Sequence, residues 1–323
     1  MDYASYIKTN RTSLMGVAIT FILLYHSYSW CIPERNPNLS IFKHGYIGVD
    51  IFIFLSGFGL CFSYAKNTLK AFYLNRLNKI FPLYIFTGLL ISLISNPKGS
   101  ILTTIWDVFC NISTLSYWNL GGIYWNWYIP AIVLLYLSFP IIYLFTKQFQ
   151  DIFLIFTNVF ISITLYFFTI PWQYECFIAR IPIFILGIII YLHQNDIEKQ
   201  KRSLFVSSIF FTPCLFFNIS QYYTTATFCP LFLLLIYTTT LVHIIEHIFR
   251  IPCIRFIGAH TLEIFLGNSL CYYIIHILLR YTNNPILIFF SYWSGSLILS
   301  YINILLNNRI NSKHYRHEYS VDK

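Results

Sequence analysis

Apolar runs of about 17 to 25 residues recur from Ser13 to Leu306 with short polar stretches between them, each long enough to cross a hydrocarbon core roughly 30 Å thick. The pattern predicts an all-α fold: a polytopic membrane helix bundle of about ten transmembrane helices. The expected spans are 13–32, 46–65, 80–95, 123–145, 152–170, 176–193, 203–219, 225–245, 261–279 and 285–306. Segment 100–118 carries Trp106, Asp107 and Asn111 among its apolar residues, and is read as an interfacial or re-entrant piece and not as a crossing. On this reading residues 1–306 form one integral-membrane domain and 307–323 a polar cytoplasmic tail. The first apolar run is too long for a signal-peptide core and lacks a following cleavage site, so it is expected to be a retained helix.

Composition supports the membrane class. Of 323 residues 57% are hydrophobic and 10% charged, against roughly 25% charged in soluble domains, which argues against a water-soluble enzyme. Charge then orients the bundle, because short cytoplasmic loops collect Lys and Arg. With ten spans and the N-terminus inside, sixteen basic residues fall on the cytoplasmic side, among them Lys8, Arg11, Arg76 and Lys79. Only Arg35, Lys43, Lys98 and Arg280 fall outside, so both termini are expected in the cytoplasm. Trp30, Tyr46, Trp125, Trp127 and Trp172 then lie near the outer boundary, where amphipathic rings settle. The net charge of +9 suits anionic lipid head groups or an anionic cytosolic ligand; no nucleic-acid motif occurs. Eight cysteines, no two closer than fifteen residues, suggest neither a metal site nor a disulfide framework.

Ionisable side chains inside the spans cost a few kcal/mol or more, so each is a functional candidate unless a partner explains it. They are His26, Asp50, Arg180, Glu263 and His276. His26 and Asp50 lie roughly 9 and 6 Å below the expected outer boundary at 1.5 Å rise per residue, near enough in depth to pair. Such a pair either tunes an imidazole for general-base work on a hydroxyl or merely locks two helices together. In FYLNRLNKIFPLY (72–84), Arg76 and Lys79 lie three apart on one helix face. They are either a phosphate clamp or an ordinary positive-inside anchor, and Pro82 is placed to kink the helix beyond them. His243, Glu246 and His247 spell H-x-x-E-H, but at the end of a span this reads as a polar helix terminus, and no metal is expected.

Two function classes fit intramembrane charge. One is a transporter, such as a flippase for a lipid-linked sugar, with Asp50, Arg180 and Glu263 lining its path. It predicts inverted repeats and broken midplane helices, and the hydropathy pattern shows neither. The other is an enzyme working at a buried histidine.

Three segments favour the enzyme. LMGVAITFILLYHS (14–27), GVDIFIFLSGFGL (48–60) and FYLNRLNKIFPLY (72–84) together resemble the membrane-bound acyltransferase 3 family, which moves acyl groups, usually acetyl, onto sugars of cell-envelope polysaccharides. NWYIPAIVLLYLSFP (126–140), RIPIFILG (180–187) and GAHTLEIFLGNSL (258–270) are weaker echoes in the same order. The resemblance implies His26 as the acyl-transfer histidine, Asp50 as its supporting carboxylate, and Arg76 and Lys79 as contacts to coenzyme A phosphates. Many members carry Arg eleven residues before the histidine; here that position is Met15, and Arg11, one turn earlier, is expected to take its part. Lys79 stands where Arg is common, and Asn268 where many members have histidine.

Arg180, Trp127, Tyr128 and Glu263 are the candidates for holding the acceptor. The resemblance thus implies acetyl-CoA or another acyl-CoA as donor, a glycan or lipid-linked sugar as acceptor, and a place in the bacterial cytoplasmic (inner) membrane.

Overall fold

A computed structural model describes residues 2–31, 42, 44–95, 101–122, 125–217, 251–278 and 284–321. The expected span 225–245 and the H-x-x-E-H stretch lie outside the described residues, as do the side chains of Trp30, Trp172 and His276.

The described residues are helical and contain no strand, as hydrocarbon demands of a chain that must satisfy its backbone polar groups locally. In chain order the helices are α1 (Tyr3–Cys31), α2 (Ile47–Lys66), α3 (Leu69–Ser95), α4 (Ile101–Ile112), α5 (Tyr128–Phe149), α6 (Asp151–Phe167), α7 (Trp172–Ile178), α8 (Ile181–Leu192), α9 (Ile197–Phe217), α10 (Pro252–Ala259), α11 (Thr261–Leu278) and α12 (Pro285–Val321). Five helical stretches among these residues are long and apolar enough to cross a membrane: His44–Lys66, Leu69–Ile94, Tyr128–Phe149, Tyr174–Leu192 and Leu287–Asn308.

Several boundaries differ from the hydropathy reading. Helix α1 begins ten residues before Ser13, so Lys8 and Arg11 belong to the same rod as His26. Helix α3 runs unbroken through Pro82 and includes Arg76 and Lys79. Helix α4 has twelve residues, about 18 Å of rise, too short to cross alone. The run 176–193 is interrupted at Ala179–Arg180, where α7 ends and α8 starts with Pro182 in its first turn. Helix α12 continues to Val321, so the polar segment after Leu306 prolongs the helix instead of forming a separate tail.

The chain forms two compact units. The first comprises Met1–Ile22, Ile41–Leu74 and Ala131–Ala259. Within it α2 packs on α8, α8 on α6 and α9, and α6 on α9. The approach of α2 to α8 is reciprocal: a Cβ on Gly57 would strike the Phe184 carbonyl, and one on Gly187 the Phe54 carbonyl. Small residues let two backbones meet this way where lipid offers no hydrophobic drive to associate. Tyr64, Phe72, Phe139 and Tyr143 form an aromatic cluster beside this interface.

The second unit comprises Leu23–Ser40, Asn75–Pro130 and His260–Lys323. Its centre is the antiparallel pair α11 and α12, with Gly267 against Ser300 and Cys271, Ile275, Ile288 and Tyr292 buried together. A second cluster surrounds α4. Asn111 Nδ2 donates to Ser92 Oγ at 2.9 Å, and Gly122 N to Asp107 Oδ1 at 2.7 Å, in a turn where Gly121 and Gly122 have φ of 139° and 74°. Trp125, expected at the lipid interface, is buried here: it stacks on Tyr84 at 4.7 Å and donates through Nε1 to Asn111 O at 3.1 Å. Its indole N–H has a protein acceptor, so the ring has no need of the interface.

Candidate functional site

In the second unit the half-buried His26 sits in the last two turns of α1, with Nδ1 2.6 Å from Asn268 Oδ1 on α11. Asn268 Nδ2 in turn bonds the Tyr292 hydroxyl and, at 3.3 Å, Ser296 Oγ, both on α12. Tyr292 OH donates to the Leu23 carbonyl at 3.4 Å, one turn before His26, a carbonyl that also accepts from Ser27 Oγ at 2.7 Å. Asn268 and Tyr292 are 1% and 0% exposed. Asn268 lies seven residues past the start of α11 and ten before its end, roughly 10 and 15 Å along the axis, so it presents His26 with a polar group near the middle of that helix. Three residues before Asn268, Phe265 meets the Tyr128 ring edge-on at 5.3 Å, and Tyr128 meets Trp127 at 6.1 Å. The candidate acceptor aromatics therefore adjoin the helix turn that carries Asn268.

The basic positions come from two places. Arg76 and Lys79 share one face of α3, one turn apart, half-buried and exposed respectively. Arg76 Nε is buried and has no hydrogen-bond partner among the described residues, an unmet donor of the kind an anionic oxygen satisfies. Arg11, in the first unit, is half-buried on α1, its guanidinium over Gly59 of α2: a Cβ there would come within 2.9 Å of Nη2. Lys8, one turn earlier, holds its ammonium 5.7 Å from the centre of the Phe62 ring.

Asp50 and Arg180 have a relationship that spacing did not predict. Arg180 Nε donates to Asp50 Oδ1 at 2.6 Å and Nη1 to the Cys176 carbonyl at 2.7 Å, with the two side chains 1% and 0% exposed. The break between α7 and α8 sets Arg180 at a helix start, and the close backbone approach at Gly57 and Gly187 brings α2 near enough to present Asp50. The expectation that Arg180 holds an acceptor thus meets a buried guanidinium already engaged by a carboxylate and a backbone carbonyl; its observed work is to join α8 to α2. His26 and Asp50 belong to different units.

Glu263 is likewise engaged. Its Oε1 accepts from Asn307 Nδ2 at 2.6 Å, its backbone carbonyl accepts from Asn303 Nδ2 at 3.1 Å, and His260 Nδ1 lies 3.8 Å away. These bonds clasp the start of α11 to α12. Asn268 was visible in the sequence only as a departure from a motif, and Tyr292 and Ser296 gave no signal, since one Tyr among 26 stands out only once helix register is known.

Residues 14–304 match a family model described as an acyltransferase domain. No curated protein and no solved structure matches the chain.

Proposed function

Since the chain belongs to the acyltransferase 3 family and is a membrane acyltransferase, we propose that it moves an acyl group, acetyl first, from acyl-CoA to a hydroxyl of a cell-envelope or exported polysaccharide, or of its lipid-linked precursor. Family membership favours this over the flippase alternative. The observation that carries the site is the 2.6 Å contact between His26 Nδ1 and Asn268, which holds an imidazole in position inside a helix bundle.

In this reading the CoA phosphates meet Arg76 and Lys79. The unmet Arg76 Nε–H fits a phosphate oxygen, whereas Lys79 offers a point charge and not a second planar fork. His26 takes the proton of the acceptor hydroxyl as its oxygen attacks the thioester carbonyl. The C–S bond then breaks, the imidazolium returns the proton to the leaving thiolate, and ester and free CoA result. Trp127 and Tyr128 offer flat faces to the sugar. Asp50 and Arg180 act as positioning residues through their ion pair, and Glu263 steadies the start of α11. The excess of Lys and Arg in one set of loops supports cytoplasmic termini and donor entry from the cytoplasm, and the family's usual envelope substrates point to the bacterial inner membrane.

The test is detergent-purified protein with radiolabelled acetyl-CoA and a crude envelope glycan fraction. Label transfer and CoA release should disappear in His26→Ala, while Arg76→Ala/Lys79→Ala should raise the donor KM. Full turnover by His26→Ala would overturn the assignment of the base, and absence of turnover with acetyl, succinyl and longer acyl-CoAs would overturn the donor class.

A further inference from the structure

The hydrogen bonds around His26 have a direction, and it can be traced from a group whose role is fixed. The Leu23 carbonyl has no proton, so Tyr292 OH, 3.4 Å away, must be the donor. The Tyr292 oxygen is then left to accept, and what it accepts is an N–H of Asn268 Nδ2. The second Nδ2 hydrogen points to Ser296 Oγ at 3.3 Å. With both amide hydrogens on the α12 side, the atom 2.6 Å from His26 is the carbonyl oxygen Oδ1, which also can only accept. Nδ1 of His26 must therefore carry the ring proton.

From this circuit we infer that Asn268 and Tyr292 lock His26 in the Nδ1–H tautomer and so make Nε2 the nitrogen that takes the acceptor's proton. The inference rests on His26 being the base and deepens that reading: it names two positioning residues, one on α11 and one on α12, that act through the ring and not on the substrate. Asn268 and Tyr292 are buried, where an amide that turned over would leave a hydroxyl and an imidazole facing the wrong partners, at a cost that low dielectric magnifies. The choice of an amide has its own consequence. A carboxylate in that place would orient the ring and also bind its proton by charge, whereas an uncharged amide orients the ring alone and leaves it ready to accept a proton at Nε2.

The experiment uses the full-length protein in detergent, labelled with ¹⁵N-histidine, with the His26 signals identified by their absence in His26→Gln. Wild type is expected to show a protonated Nδ1 and an unprotonated Nε2; Asn268→Ala and Tyr292→Phe are expected to show a mixture of tautomers. A wild-type ring protonated on Nε2, or an unchanged tautomer in Asn268→Ala, overturns the inference. Because this measurement needs no turnover, it stands apart from the acyl-transfer assay, whose failure would count against the proposed function alone. In turnover, Asn268→Ala should lower kcat about 100-fold with little change in donor KM, the lower end of what a positioned base supplies. Asn268→Asp should move the acid limb of the kcat profile, which a residue serving only to pack α11 on α12 would leave in place.

Discussion

The Asp50 carboxylate on α2 accepts a 2.6 Å hydrogen bond from Arg180 Nε at the first turn of α8, and both side chains are shut away from the surface. A pair of charges buried this way contributes less than its attraction suggests, because both were taken out of solvent, but removing one partner strands the other. Asp50→Ala and Arg180→Ala should each lose about 3 to 5 kcal/mol of stability, read as a lower midpoint of thermal unfolding in detergent. The double variant Asp50→Leu/Arg180→Met should unfold above either single variant, since no charge is left stranded. A double variant no better than the singles would refute the ion pair as the cause.

The meeting of α2 and α8 depends on two glycines facing each other's backbone. Gly57→Val places side-chain atoms on the Phe184 carbonyl, and the strain of overpacking costs typically about 1 to 3 kcal/mol. Folded yield by size-exclusion chromatography should fall for Gly57→Val and Gly187→Val. It should hold for a valine at Thr103, an exposed position on α4.

Arg76 has a buried Nε–H with no described partner. Loss of one charge-assisted bond to phosphate should raise the acyl-CoA KM of Arg76→Ala roughly tenfold, about 1.4 kcal/mol, with kcat held. Arg76→Lys should recover part of this, and the wild-type KM should rise with salt. Equal KM values in wild type and Arg76→Ala would remove Arg76 from the donor site.

His193, at the end of α8, has its Nε2 buried with no hydrogen-bond partner among the described residues. Burial pushes the imidazole below the usual histidine range, against the pull of Asp151 and Asp196, with Lys199 and Arg202 adding to the fall. The folded state therefore prefers the neutral ring, while the unfolded chain takes up a proton at about pH 6.5. Stability from this group is complete above that pH and declines as pH falls below it. Thermal unfolding at pH 7.5 and 5.0 should show a larger drop for wild type than for His193→Gln.

The helices were legible because hydrophobic runs of crossing length leave a chain few alternatives, and the signatures around His26, Asp50 and Arg76 were legible because rare polar residues stand out in hydrocarbon. Partners were harder to read. Asn268 meets His26 across 242 positions, and Arg180 meets Asp50 across 130; such pairings depend on helix register and rotation, which hydropathy does not encode. The break at Arg180 was hidden because apolar residues flank it closely, Cys176 to Ala179 before it and Ile181 to Leu186 after it, so an average over a span's length crosses it without a dip. Trp125 misled for a similar reason: an indole near a helix start looks the same whether it faces lipid or the protein interior.

The 130 positions between Asp50 and Arg180 also have a meaning in time. A ribosome adding about 5 to 20 residues per second finishes α2 roughly ten seconds before it finishes the start of α8. Throughout that interval the nascent chain holds an acidic side chain in the second helix with its counter-ion not yet made. Biogenesis must therefore shield Asp50 until α8 arrives, and a chain truncated before Arg180 should be the form that quality-control proteases recognise.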